Sequence, residues 1–168
     1  MTTGRCLCGA IQFEFAGEAV ETTHCHCESC RRQTSSPVAT FVTVHDSTLR
    51  ITRGQPNEYA SSPGVRRSFC GTCGSPIAYR SERHPGLVDL FAGTLTDPAH
   101  LSPSLHTYAD EQLPWFEMLD NLPRCAQGSH GQTPMATLRS ARGAEVRRRA
   151  VIAHAPPPGS PKRAKNSV

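Results

Sequence analysis

The sequence predicts a mainly β fold held together by metal, and three observations point to it. Short runs alternate apolar and polar residues with period two, Gly and Pro clusters punctuate those runs, and seven of the eight cysteines fall into three tight groups. With 168 residues, 37 % hydrophobic and only 6 % aromatic, the chain is long enough for one domain but short of core, so something besides burial is expected to hold it.

The elements follow in order. Cys6-Leu7-Cys8-Gly9 opens the chain, with Gly9 freeing the backbone for a tight turn. From Ala10 to Phe15, Ile11, Phe13 and Phe15 alternate with Gln12 and Glu14, which predicts a half-buried strand. Gly17 and an acidic stretch to Glu21 lead into His24-Cys25-His26-Cys27-Glu28-Ser29-Cys30-Arg31-Arg32. A polar connection through Pro37 precedes a predicted strand over Val38 to Val44, and Thr48 to Thr52 alternates again. Tyr59 to Gly64 reads as loop, and Val65 to Phe69 leads into Cys70-Gly71-Thr72-Cys73-Gly74, a zinc-knuckle pattern. Pro76 to Arg80, Leu87 to Leu95 and Leu105 to Tyr108 read as β-type runs; Glu111 to Leu122 reads as a short helix or turn packed back on a sheet, with Trp115 as a core anchor.

The cysteines divide as four plus three. Cys6, Cys8, Cys70 and Cys73, each pair beside a glycine turn, can close a four-cysteine zinc site that joins segments more than sixty positions apart. Cys25, Cys27 and Cys30 remain for a second zinc with only three protein ligands, which keeps a fourth position for water or substrate. The plainer alternative for this triplet is a redox-active or merely reduced cluster. His24 and His26 read as further ligands or as donors behind the ligands. Arg31 and Arg32 read first as surface or structural pairs, and second as cations offsetting the charge of the triplet. Cys125, outside every group, reads as a spare thiol.

Residues 1–124 carry 10 Lys and Arg against 13 Asp and Glu, while 125–168 carry 8 against 1. The basic character therefore belongs to the tail, whose Pro, Gly, Ala and Arg predict disorder with at most a transient basic helix over Pro134 to Ala153. Two segments are expected: a zinc domain over 1–124 and a tail over 125–168. Nucleic acid is expected as a partner only through that tail. No secretory signal and no apolar run of about 18–20 residues is visible, so reduced cysteines, metal rather than disulfides, and a cytoplasmic location are expected.

Taken jointly, Gly4 to Ala10, Cys25 to Arg32, Arg67 to Pro76, Ala92 to Leu95, Pro114-Trp115-Phe116 and Asp120 to Pro123 make the chain resemble the glutathione-dependent formaldehyde-activating enzyme family, which includes centromere protein V-like proteins. The resemblance covers roughly residues 4 to 124. It implies a β-tent, Mss4-like fold with two Zn2+ per chain, Cys6, Cys8, Cys70 and Cys73 on a structural zinc and Cys25, Cys27 and Cys30 on a catalytic one. The activity it implies is carbon–sulfur lyase chemistry on a small thiol and an aldehyde, with glutathione and formaldehyde as the leading pair. In the mechanism this suggests, His24 or His26 moves the proton. Where relatives often have glycine shortly after the paired arginines, this chain has Ser35. Two other readings stand beside it: a zinc-stabilised protein- or nucleic-acid-binding module without catalysis, and the same chemistry on another thiol or aldehyde.

Overall fold

The computed structural model describes residues 1–128. In chain order its main elements are β1 (Thr2–Arg5), β2 (Gln12–Phe15), β3 (Glu21–Cys25), α1 (Glu28–Thr34), β4 (Ala39–His45), β5 (Leu49–Arg53), β6 (Asn57–Ser62), β7 (Val65–Phe69), β8 (Pro76–Ser81), β9 (Leu87–Phe91) and β10 (Leu105–Thr107), with three short 3-10 turns. The fold is mainly β and of the β-tent, Mss4-like type. A three-stranded sheet, ordered β1-β2-β5, faces a seven-stranded sheet, ordered β10-β3-β4-β9-β8-β7-β6. Every pairing is antiparallel except β10 with β3. No helix among the described residues is long and apolar enough to cross a membrane.

The period of two decides what each face of the large sheet does. Along β4, Val42 and Val44 point one way, and with Val88 and Leu90 of β9 and Ile77 they meet Phe13 and Phe15 of the small sheet in the main core. Phe41 and Phe91, one residue out of step, turn to the other face. There they pack with Cys25, Cys27, Cys30 and Ala39, and with the partly buried Tyr79 and Tyr108. One face thus packs the main core and the other packs against the cysteine triplet.

Both knuckle turns form as their glycines predict. Gly9 (φ 76°) donates its N–H to the Cys6 carbonyl, and Gly74 (φ 76°) donates to that of Cys70. Each occupies the left-handed region, where a side chain would be strained.

Two expectations are corrected. Of the Tyr59–Gly64 stretch only Pro63 and Gly64 form a turn; Tyr59 to Ser62 belong to the edge strand β6, which the alternation test misses because every residue of that strand is exposed. β1, β3 and α1 also form where the sequence showed no clear pattern. Trp115 is no core anchor: it is 72 % exposed and its ring makes an edge-type contact with Phe116, in a segment whose Leu113 carbonyl accepts from the Phe116 N–H. From residue 129 onward, the expected disordered tail lies outside the described residues.

Helix α1 ends at Ser35, which is left-handed (φ 51°, ψ 33°). Left-handed backbone costs an L-residue roughly 1–2 kcal/mol, and glycine surrenders about 0.5–1 kcal/mol of that through the entropy of the unfolded chain. Ser35→Gly should therefore raise stability by about 0.5–1 kcal/mol. An unchanged or lower urea midpoint would show that this turn is unstrained.

Candidate metal centre and cleft

Two groups of cysteine sulfurs converge, each with all its Sγ atoms within 4.8 Å of one another: Cys6, Cys8, Cys70 and Cys73, and Cys25, Cys27 and Cys30. These are the groups that spacing had assembled, and either could hold a metal ion. A tetrahedral zinc with bonds of about 2.3 Å sets its sulfurs about 3.8 Å apart. Cys6 and Cys8 Sγ are 3.5 Å apart and Cys8 and Cys70 Sγ 3.8 Å, so the donor set fits. Donors surround the sulfurs as thiolates require: Ile11 N–H reaches Cys6 Sγ at 3.2 Å, Cys30 N–H reaches Cys27 Sγ at 3.4 Å, and the Ser75 hydroxyl lies 3.2 Å from Cys73 Sγ. That hydroxyl, with the backbone beside it, draws the Cys73 thiol down to about 5.

The triplet is built by β3 and α1. Cys25 closes the strand, Cys27 caps the helix and Cys30 lies one turn inside it, all three 9 % exposed or less. Held this close, the thiols do not ionise alike. Hydrogen bonds from Cys25, then Cys30, with the Ser29 hydroxyl and the Cys30 N–H, hold Cys27 far below the ordinary thiol range against the cost of its burial. Cys25 is driven far up by bonding to Cys27 and then Cys30. Cys30 stands at about 11, where the pull of Cys25 is outweighed by Cys27 and burial while Arg67 draws it back.

The three cysteines line a cleft of about 390 Å³, together with Phe41, Thr43, Arg67, Tyr79, Asp89, Thr107, Tyr108 and Glu111. A larger groove of about 1060 Å³, running between β5 and β6 to β8, has no cysteine in its wall, so size alone does not locate the chemistry. Tyr79 and Tyr108 keep their protons more firmly than ordinary phenols, chiefly because burial disfavours the phenolate. Tyr108 is also held left-handed at φ 53°.

The histidines of the cysteine motif face the other way. The ring of His24 bonds Thr40 Oγ1 at 2.9 Å, and His26, fully buried, bonds His106 Nδ1 through its Nε2 at 2.8 Å. His106 Nε2 in turn lies 3.0 Å from both Asp120 oxygens. For Asp120, burial is outweighed by the bonds from His106 and the Leu122 N–H, which keep it ionised. It accepts from His106 Nε2–H, so neutral His106 presents a bare Nδ1 that accepts from His26 Nε2–H. His26 Nδ1 is then a lone pair without a partner. Neither His24 nor His26 lines the cleft, which removes them as direct proton carriers to a substrate there. Arg31 donates to the His26 carbonyl at 2.9 Å, Arg32 pairs with Glu28 on the surface, and neither lines the cleft of the triplet. Arg67, which spacing does not single out, faces it instead. Cys125 is not a loose surface thiol: it is 2 % exposed, its N–H donates to the His106 carbonyl, and burial pushes its thiol up.

The sequence profile of the glutathione-dependent formaldehyde-activating enzyme family matches residues 1–111. This chain belongs to that family. It is 34 % identical over 94 residues to a Schizosaccharomyces pombe protein named as an uncharacterized lyase, an alignment covering 54 % of this chain and 68 % of the yeast one. A Rhodobacter sphaeroides protein of known crystal structure superposes with a TM-score of 0.51 at 26 % identity, over 62 % of this chain and 99 % of that one. The formaldehyde-activating family match thus takes in both knuckles, the triplet and Arg67.

Burial, then the neighbouring His106, Arg124, His24 and Arg31, pull His26 down to about 4. An unfolded histidine takes its proton near pH 6.5, so the stability His26 contributes is fully present above that pH and is lost as pH falls toward 4. His26→Gln keeps a donor for His106 Nδ1 but takes up no proton. With both proteins metal-loaded, its unfolding free energy should fall less steeply between pH 6.5 and 4, by up to about 1.4 kcal/mol per pH unit. Equal slopes would contradict this account.

Proposed function

We propose that the chain is a zinc-dependent carbon–sulfur lyase, which joins glutathione to formaldehyde as S-(hydroxymethyl)glutathione and splits the adduct in reverse. The observation that carries the reading is the pair of unequal cysteine groups, one with four sulfurs and one with three, the latter in the wall of the 390 Å³ cleft. Cys6, Cys8, Cys70 and Cys73 would hold a structural Zn2+, and Cys25, Cys27 and Cys30 a second Zn2+. A zinc held there would supply acidity to a thiol and so favour the thiolate, the form that attacks a carbonyl carbon. Family membership and the lyase name of the yeast relative support the same reading.

The balance is simple. A C–S bond forms between the thiol sulfur and the formaldehyde carbon, the S–H proton leaves, and the carbonyl oxygen gains a proton. The residues of this chain shape that event. Phe41 walls the cleft beside the sulfurs, and its ring packs on Phe91 at 4.6 Å between centroids. Tyr108 brings a protonated phenol to the same space, suited to donate to the oxygen as charge develops on it.

Exchange NMR on glutathione and formaldehyde at equilibrium tests the reading, with the uncatalysed reaction as baseline in the same tube. The zinc-loaded protein should speed interconversion, Cys27→Ser should abolish the acceleration and cost one zinc per chain, and Tyr108→Phe should lower it about 10²-fold with both metals retained. No acceleration by the protein carrying both metals would refute the reaction.

A further inference from the structure

Arg66 and Arg67 are neighbours on β7, yet Arg66 is exposed while Arg67 is 3 % exposed. The guanidinium Nε donates to Ser61 Oγ at 3.0 Å, Nη1 to Gln33 Oε1, and Nη2 to Ser29 Oγ at 3.4 Å. Its plane lies over Tyr79, 4.9 Å from the ring centroid. Each of these partners is neutral, and burying a cation among neutral groups is expensive unless an anion shares the site. Among the described residues, a further contact is Cys30 Sγ, 4.0 Å from Nη2.

The geometry points to Arg67 as the fixed counter-charge of the triplet: a positioning residue that lets Cys25, Cys27 and Cys30 hold a divalent metal and then accept a fourth thiolate from substrate. The inference rests on the proposed zinc site and specifies which side chain makes it workable. Three thiolates on a divalent ion carry a net charge of −1, and a fourth makes −2. In a cleft with low-dielectric walls each increment favours a cation that needs no reorganisation, and Arg67 is already held there by three hydrogen bonds and an aromatic face. α1 contributes to both sides of the arrangement, since Cys30, Ser29 and Gln33 all belong to it. The cation is thus clamped to the same helix that presents the sulfur, and its effect on substrate is selective: it favours a thiol that can enter as thiolate over a neutral oxygen ligand.

The test uses the full chain loaded with cobalt(II), whose sulfur-to-metal charge-transfer absorption reports thiolate ligation. Cys27→Ser supplies the signal of the four-cysteine site alone. Arg67→Met should weaken cobalt binding at the triplet by about 10–100-fold, the usual effect of losing a partner behind the ligands, while the four-cysteine site binds as before. The pH at which added glutathione enters the triplet cobalt should rise in the same variant, and Arg67→Lys should recover most of both properties. Should Arg67→Met fail to fold, Arg67→Gln reads the same charge loss and is held to the same expectation. Two cobalt ions bound with unchanged affinity and unchanged pH midpoint in the uncharged variant would overturn the role of Arg67 and leave the lyase reading standing. A single cobalt in the unmodified chain would overturn the three-cysteine metal site itself, and the inference with it.

Discussion

Like charges forced together are the constraint on which the structure depends. Three or four sulfurs within 4.8 Å of one another cannot all ionise unaided, and the triplet shows the consequence: Cys27 is driven toward thiolate while Cys25 and Cys30 are driven away from it. A divalent cation between the sulfurs reverses that penalty and turns ligand binding into folding free energy. The four-cysteine group lies where such a link matters most. With a metal bound it would tie the turn after β1 in the small sheet to the turn after β7 in the large one, with Cys6 and Cys70 themselves in the core.

The large sheet separates the two tasks by strand alternation. Val42, Val44, Val88 and Leu90 face the small sheet, while Phe41, Thr43 and Asp89 line the cleft and Phe91 packs with the triplet on that same face, so a one-residue slip of β4 against β9 would exchange core for site. The cleft face also gathers polar groups in defined pairs, such as Thr43 Oγ1 donating to Asp89 at 2.6 Å. Behind the cysteine strand, the chain from Asp120 through His106 to His26 fixes ring tautomers and steadies the backbone that presents Cys25 and Cys27. His26 N–H and the Thr107 carbonyl complete that support at 3.0 Å.

The features legible in the sequence are those whose causes are local. Cysteine spacing identified both sulfur groups, the four-cysteine one with the help of Gly9 and Gly74; alternation identified β2, where half-burial writes a period of two into adjacent residues, and also β5, while the Val, Thr and Phe content identified β4. β6 was missed since an exposed edge strand has no reason to alternate, and α1 since seven residues are too few to show a helical period. Arg67, Tyr108 and the His106–Asp120 pair were illegible for a different reason. They reach the site through pairings across the chain, such as the parallel alignment of His106 with His24, which no local pattern encodes.

The central claim is that the two cysteine groups hold two metals, one closed and one open. X-ray absorption at the zinc edge of the doubly loaded protein tests it most directly. Four sulfurs on one zinc and three on the other predict an average of about 3.5 sulfurs per metal, rising to about 4 when glutathione is added. Four sulfurs per zinc before any thiol is added, or a signal that glutathione leaves unchanged, would contradict the account.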